Sequence, residues 1–158
     1  MTIGRVYTAL FTATGITVQQ DLFAIVSPSD AVTELMEIHL SQVSEIGDAQ
    51  EEMLAITVKS GMTTAGSGGT TVTPNPLSLG DVAYGGTVRA NDTTKASGGT
   101  AVSHKTWNWN IRVPLDIIDQ PEACKPISPS ARLTIELATT PADTMTMSGY
   151  VVFKEIGG

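Results

Sequence analysis

Apolar and polar residues alternate along much of this chain, which is the two-residue period of a β-strand with one buried face. The clearest cases are 54–59 and 133–138, in which every second residue is Leu, Ile or Val. We therefore predict that these apolar positions face the core: Leu54, Ile56, Val58, Leu133, Ile135 and Leu137.

The same period predicts about eight strands along the chain. They are 6–11, 20–26, 36–41, 54–59, 87–90, 106–112, 133–138 and 144–156. In the last segment the alternation changes phase around Ser148-Gly149, which predicts a β-bulge there. No segment sustains the apolar face of a long helix, so we expect no helix longer than about two turns. The candidate for one helical turn is 48–52.

Glycine and proline turns separate these short segments, which is typical of a sandwich or a barrel. Eight antiparallel strands in two sheets predict an all-β fold, an antiparallel β-sandwich of the jelly-roll type. An immunoglobulin-like sandwich is the alternative, but its cysteine and tryptophan spacing is absent. The length of 158 residues fits one domain, 1–158.

Residues 61–104 interrupt the regular pattern with a stretch rich in glycine and threonine. Within it 63–70 (TTAGSGGT) returns as 93–100 (TTKASGGT), which we interpret as two similar glycine-rich loops, since repeat architectures need more copies. We predict a long, weakly charged loop arm with one or two strands. Long loops are often functional, so this one could cover a neighbour or bind a partner. The candidate interface residues are Thr63, Thr64, Val72, Pro74, Pro76, Leu77, Val82 and Tyr84.

Charge restricts the classes of partner. Charged residues make up 16 % of the chain, against roughly 25 % in an ordinary soluble domain, and a surface with little charge is common where another subunit covers it. The net charge of −7, with its basic residues scattered, argues against nucleic acid and against anionic membranes. Cys124 is the single cysteine, which favours a reducing compartment or a disulfide-free protein. We expect neither an export signal nor a membrane-spanning segment.

Known catalytic and metal-binding patterns are missing from the sequence. The Gly66-Ser67-Gly68-Gly69 loop lacks the Lys-Ser or Lys-Thr pair of a phosphate-binding loop. His39 and His104 do not have metal-ligand spacing, and neither forms a known thiol-enzyme motif with Cys124. We therefore expect no enzyme activity, no cofactor and no metal.

Three polar or aromatic groups have a second interpretation. Glu37 and His39 share one strand face and could form an ion pair or a metal site, although a solvated face is favoured. Glu34 should lie on the other face of this strand, away from Glu37. Trp107 and Trp109 share a face with Ile111, which favours core packing; the alternative is an exposed aromatic platform for carbohydrate. An acidic run lacks the spacing of a calcium loop and is interpreted as solvated: Glu45, Asp48, Glu51 and Glu52.

Several segments resemble a family of small phage and prophage virion proteins. The matching segments are Gly4-Arg5-Val6-Tyr7-Thr8, 20–25, 28–32, 47–49, 52–54, 66–69, 73–77, 127–133, 147–149 and 155–158. They cover most of the chain but are turn and strand motifs rather than catalytic signatures, and the stretch Lys105-Thr106-Trp107-Asn108-Trp109 matches least well. The resemblance implies a non-enzymatic virion protein made in the host cytoplasm, with capsid decoration or cementing of the head as the closest functional class.

Such a protein would bind the major capsid protein and sister subunits, and a homo-oligomer is expected. The alternatives are a tail- or fibre-associated virion protein and, from another class, a carbohydrate-binding β-sandwich module. Joint exposure of Trp107 and Trp109 would favour the carbohydrate-binding module.

Overall fold

A computed structural model describes residues 4–44 and 52–157 and has two antiparallel β-sheets packed face to face. The strands are β1 Arg5–Ile16, β2 Gln20–Val26, β3 Ala31–Gln42, β4 Met53–Ser60, β5 Thr70–Val72, β6 Asn75–Pro76, β7 Thr87–Asp92, β8 Val102–Asn110, β9 Leu115–Ile118, β10 Lys125–Ile127, β11 Arg132–Leu137 and β12 Met145–Gly157. Sheet A has the order β10-β3-β12-β1-β6, with β9 also paired to β3; sheet B has the order β5-β7-β2-β11-β4-β8. The antiparallel β-sandwich is therefore confirmed.

Eight of these strands have the order of a jelly roll. In sheet A, β9, β3, β12 and β1 are neighbours, and in sheet B, β2, β11, β4 and β8 are neighbours. We call these eight strands the frame. Consecutive frame strands lie in different sheets, except β4 and β8, which are neighbours in sheet B. Strands distant in sequence therefore pair with each other, as in a double Greek key. The remaining strands, β5, β6, β7 and β10, extend the edges of this frame.

Seven of the eight predicted strands belong to the frame, and one frame strand was not predicted. All eight predicted segments overlap strands, but one of them is β7, which lies outside the frame. The sixth frame strand, β9, was missed, because Pro114 and the following prolines divide residues 114–126 into pieces too short to show a period. A single 3-10 turn, Pro121–Ala123, lies in this region. None of the helical segments in the described ranges is long and apolar enough to cross a membrane.

The core lies between the sheets and contains all six residues predicted to face it. Leu54, Ile56, Val58, Leu133, Ile135 and Leu137 are at most 1 % exposed. Phe11 and Phe23 bring the two sheets together, with ring centroids 5.2 Å apart. Complete burial of such side chains is the main favourable term in the folding of this chain.

A bulge in β3 corrects two predictions about that strand. In its pairing with β12, Glu37 lies opposite Val152 and Leu35 lies opposite Phe153, so Met36 has no opposite residue. In the sequence Met36 alternates in phase with Ile38 and Leu40, which predicts one shared face. Ile38 and Leu40 are buried, but because of the bulge Met36 does not share their face.

The same bulge changes the relation between the two glutamates of β3. Glu34 lies opposite Lys154 and Glu37 opposite Val152, two outward positions of β12. Glu34 and Glu37 therefore share the outer face of sheet A, and their predicted placement on opposite faces is wrong.

The predicted bulge at Ser148-Gly149 is also misplaced, because β12 alternates without interruption. The irregularity lies in the neighbouring strand, between Phe11 and Thr14 of β1. Gly149 occupies a core-facing position, where a Cβ would lie 2.8 Å from Cδ2 of Leu40. Because a glycine stands at this core-facing position, the apolar alternation is interrupted there, and in the sequence this interruption resembles a change of phase.

Residues 61–104 are loop-rich as predicted, but they lie against the sandwich instead of projecting from it. They add β5 and β7 to sheet B and β6 to sheet A, which is three strands where one or two were predicted. The two similar glycine-rich segments pair with each other: Thr64 exchanges two backbone hydrogen bonds with Ser97 (2.8 and 3.1 Å), and Ser67 exchanges two with Thr94 (both 2.9 Å).

The second segment repeats the first thirty residues later, so Thr94 corresponds to Thr64 and Ser97 to Ser67. The two bridges are therefore equivalent, and a local two-fold axis relates the two segments. Gly68 and Gly98 occupy equivalent positions with φ of 90° and 71°. A Cβ there would lie 2.3 Å from Oγ1 of Thr93 and 2.7 Å from Oγ1 of Thr63, respectively. Glycine is required at both positions by the positive φ and by this close approach.

Candidate functional site

An open groove of about 540 Å³ runs over the outer face of sheet A, across β3, β12 and β1. Strand alternation explains its composition, since the outward residues of neighbouring strands share one face. Its polar side is formed mainly by side chains of β3 and β12. On its apolar side, β1 contributes Leu10 between Thr8 and Thr12, and the segment after β6 contributes Leu77.

On the polar side the side chains satisfy one another. The rings of His39 and Tyr150 are stacked at a centroid distance of 4.9 Å, and His39 Nδ1 lies 2.5 Å from Oδ1 of Asp116. The Tyr150 hydroxyl donates to Glu37 Oε1 over 2.9 Å, and this hydrogen bond raises the pKa of Tyr150. Glu37 and His39 do share one outward face, as predicted, but each pairs with a different residue. No group of three or more metal-binding side chains occurs within residues 4–44 and 52–157.

The apolar side exposes leucine. Leu10 of β1 is 47 % exposed and Leu77 is 60 % exposed, and both line the groove. The loop that continues from Leu77 exposes Leu79 by 99 % and Val82 by 60 %. We call residues 77–82 the display loop.

The display loop is attached to the sandwich at both ends. At its start the Leu77 N–H donates to the Val6 carbonyl over 2.8 Å, and near its end the Tyr7 hydroxyl donates to the Val82 carbonyl over 3.0 Å. Tyr84, two residues further on, is buried and donates its hydroxyl to the Val26 carbonyl over 3.1 Å. Apolar side chains are thus presented to solvent from a fixed backbone.

The predicted interface residues occupy three different environments. Thr63 and Thr64 are exposed in the paired glycine-rich segments, while Val72, Pro74 and Pro76 are half-buried. Leu77 and Val82 are exposed, whereas Tyr84 is only 8 % exposed and its hydroxyl bonds Thr33 and Val26. Burial raises the pKa of Tyr84 to about 12, so the phenol stays protonated. Tyr84 therefore belongs to the core and is not available to a partner. Sequence reasoning missed Leu10 and Leu79.

The two tryptophans differ. Trp109 is 3 % exposed and its indole N–H donates to the Val113 carbonyl over 2.5 Å, and Ile111 is equally buried. Trp107 is half-buried and packs against the rim of the core. The favoured core interpretation holds for Trp109 and partly for Trp107, and the two rings do not form a jointly exposed platform.

A buried ionic cluster lies on the outer face of sheet B, beneath the paired glycine-rich segments. Glu136 binds Lys95 (2.7 Å) and Lys59, and although burial opposes it, these lysines lower the pKa of Glu136. Asp21 accepts the Ala96 N–H over 2.7 Å. Burial, together with the charges of Glu136 and Asp92, raises the pKa of Asp21 to about 6. The cluster attaches residues 93–97 to the sheet, and nothing in the alternation pattern pointed to it.

The remaining candidates show no reactive geometry. The Cys124 Sγ contacts the Asp119 carbonyl at 3.8 Å, and burial raises the pKa of this thiol, which disfavours the reactive thiolate. Of the acidic run, only Glu52 is described, and its Oε1 accepts the Ala142 N–H over 2.6 Å. The other three acidic residues and most of the predicted helical turn at 48–52 lie outside the described residues.

Comparison with known proteins gives no relative. No protein-family model matches the chain, and no curated protein matches it. Solved structures of infectious bursal disease virus superpose poorly: the Gt strain has 18 % identity over 98 % of this chain and 42 % of the other, with a TM-score of 0.22. The Gx strain has 16 % identity over 98 % and 41 % of the two chains, with a TM-score of 0.21. This chain spans about two fifths of their length, and superpositions of this quality carry no argument about function.

Proposed function

We propose that this chain is a non-enzymatic virion structural protein that decorates or cements a phage head. The sequence segments that resemble small phage virion proteins support the proposal. So does the jelly-roll fold, which capsid proteins use. The observation that carries the proposal is the exposed apolar surface formed by Leu10 and the display loop.

Exposed apolar groups that are rimmed by polar residues mark protein–protein contacts. Leu79 stands almost fully in solvent on a backbone that is hydrogen-bonded on both sides, so binding would order few additional groups. Leu10 and Leu77 border a groove that is able to receive side chains of the capsid shell. In this proposal the major capsid protein covers the groove and the display loop.

The first experiment is the copy number of the chain in purified particles of the phage or lysogen that encodes it, measured by quantitative mass spectrometry. Decoration predicts copies in the hundreds per particle. A handful of copies would contradict decoration and favour a tail or fibre position, and complete absence would contradict the virion role.

The second experiment tests the surface. Purified protein is added to particles from a strain with the gene deleted, and binding is followed by co-sedimentation. Leu79→Asp should reduce binding at least tenfold, because it places a charge in an apolar contact. Val113→Asp is the matched control, since Val113 is 61 % exposed in another turn, and it should bind as the wild type does. If both variants bound equally well, the display loop would not be part of the contact with the capsid.

A further inference from the structure

The strand β8 is one of the two edge strands of sheet B and has a neighbour on one side only. Within the described residues it pairs with β4 and with no other strand. Its pairing is irregular at His104, but Lys105–Asn110 pairs regularly, with Trp107 opposite Ile56 and Trp109 opposite Leu54. Edge strands of this length are templates for pairing with another chain.

The hydrogen bonding shows which backbone groups face the open edge. The Ile111 N–H donates to the Glu52 carbonyl over 3.2 Å, so the odd-numbered residues of β8 direct their backbone groups toward β4. By strand alternation, Thr106 and Asn108 direct their N–H and C=O groups outward, and both residues are exposed. In the described part of the chain no backbone group pairs with them.

Charged side chains commonly protect an edge strand from pairing with another chain. In β8 the lysine side chain points away from the open edge. Lys105 is the only lysine or arginine in β8, and its ammonium group binds Asp119 and the Ala123 carbonyl (3.1 Å) on the side of sheet A. His104 bonds Ser60 over 2.6 Å, and burial together with Lys125 lowers its pKa, which keeps it neutral at pH 7. In a chain with a net charge of −7, a neutral edge is a place where a second copy can approach without like-charge repulsion.

We propose that two copies of this chain pair through β8 in an antiparallel arrangement, with the two-fold axis at Trp107. Thr106 of one copy then lies opposite Asn108 of the other, and each of these two pairs exchanges both N–H···O bonds. Trp107 lies opposite its own counterpart in a non-hydrogen-bonded pair, where Cα atoms are about 4.5 Å apart. The half-buried indole gains a cross-strand aromatic contact, which stabilises a sheet. This pairing is independent of the proposed virion role.

The test is the molar mass in solution, measured by light scattering after size-exclusion chromatography across a dilution series. The wild type should approach twice the 16.5 kDa of the chain. Asn108→Pro removes the outward N–H, which bonds no other backbone group among residues 4–44 and 52–157. It should give a monomer with an unchanged circular dichroism spectrum. Asn108→Thr keeps the N–H and is the matched control, which should remain a dimer. A monomeric wild type, or a proline variant that dimerises equally well, would overturn the proposal.

A cross-linking experiment keeps the proposal testable if the proline variant does not fold. In a Cys124→Ser background, Trp107→Cys places two thiols opposite each other at a Cα separation of about 4.5 Å, which a disulfide spans. Mild oxidation should give a covalent dimer. Ser103→Cys, further along the same strand and away from the axis, should cross-link at least tenfold more slowly. Equal rates for the two variants would contradict a two-fold axis at Trp107.

Discussion

Replacing Asp21 by asparagine should stabilise the folded protein at and above neutral pH. The Asp21 carboxyl is 2 % exposed and lies near two other carboxylates, those of Glu136 and Asp92. Lys95 is the nearby cation, but it hydrogen-bonds Glu136. Asparagine removes the buried charge while its carbonyl oxygen can still accept the Ala96 N–H.

The raised pKa of Asp21 gives the size of the effect. An Asp pKa is about 3.9 in an unfolded chain, whereas that of folded Asp21 is about 6. A shift of about two units corresponds to about 3 kcal/mol that the ionised carboxylate costs the folded state above this pH. This cost is already net of the hydrogen bond from the Ala96 N–H, which by itself lowers the pKa of Asp21. Because asparagine is neutral like the protonated carboxyl, the variant should be about 2–3 kcal/mol more stable at pH 8.

The dependence on pH distinguishes this cause from any other. Because the folded pKa of Asp21 is raised, the folded state binds its proton more tightly, and wild-type stability increases as the pH falls from 7 through 6 toward 4. Glu136 has a lowered pKa, so its stabilising contribution is lost only at more acidic pH, as the pH falls through that lowered value. The advantage of Asp21→Asn should therefore be largest at pH 8 and disappear near pH 4.

Urea unfolding followed by circular dichroism at pH 8, 6 and 4 measures these differences. Asp143→Asn removes one carboxylate from an exposed position and is the matched control, with an expected change within about 0.5 kcal/mol at every pH. An Asp21→Asn protein that is less stable than wild type at pH 8 would refute the reasoning. So would an advantage that is the same at all three pH values.

Three further substitutions test the packing by the same measurement. Ile135→Ala should cost about 2–5 kcal/mol, because Ile135 is fully buried between the sheets; a loss below about 1 kcal/mol would contradict its core position. Gly149→Ala should cost about 1–3 kcal/mol, because the new Cβ would overlap Leu40 and Phe11; an unchanged stability would show that these side chains move aside freely. Tyr84→Phe should cost about 1–3 kcal/mol, because it removes the hydrogen bonds of the buried phenol hydroxyl to Thr33 and to the Val26 carbonyl; a neutral result would mean that water replaces the phenol.

Local alternation was sufficient to predict seven of the eight frame strands and the six named core residues, because a strand with one buried face records its orientation in every second residue. The bulges were not predictable in the same way. Met36 is apolar and stands in phase with Ile38, so the sequence contains no sign that the phase changes at this residue. A bulge depends on the register with a partner strand, and β12 lies more than one hundred residues away along the chain.

The stretch 61–104 shows a second limit of sequence reasoning. Its composition predicts loops correctly, but composition does not say what a loop lies against. The two similar glycine-rich segments pair with each other, and Lys95 reaches Glu136, through contacts between residues far apart in sequence. Leu79 was overlooked because it stands in the turn sequence Ser-Leu-Gly-Asp, where an apolar residue has no periodic neighbours to mark its exposure.

The two proposed contacts occupy opposite edges of the sandwich and can therefore form together. The connection from β5 to β6 joins the edge of sheet B to the edge of sheet A beside β1, where Leu10 and the display loop lie. At the other edge, the ion pair between Lys105 of β8 and Asp119 joins sheet B to the β9 side of sheet A. A dimer formed through β8 would leave both display loops uncovered, one on each copy. Binding of such a dimer to a capsid would be bivalent, so Asn108→Pro should weaken attachment to particles even though it lies outside the capsid contact.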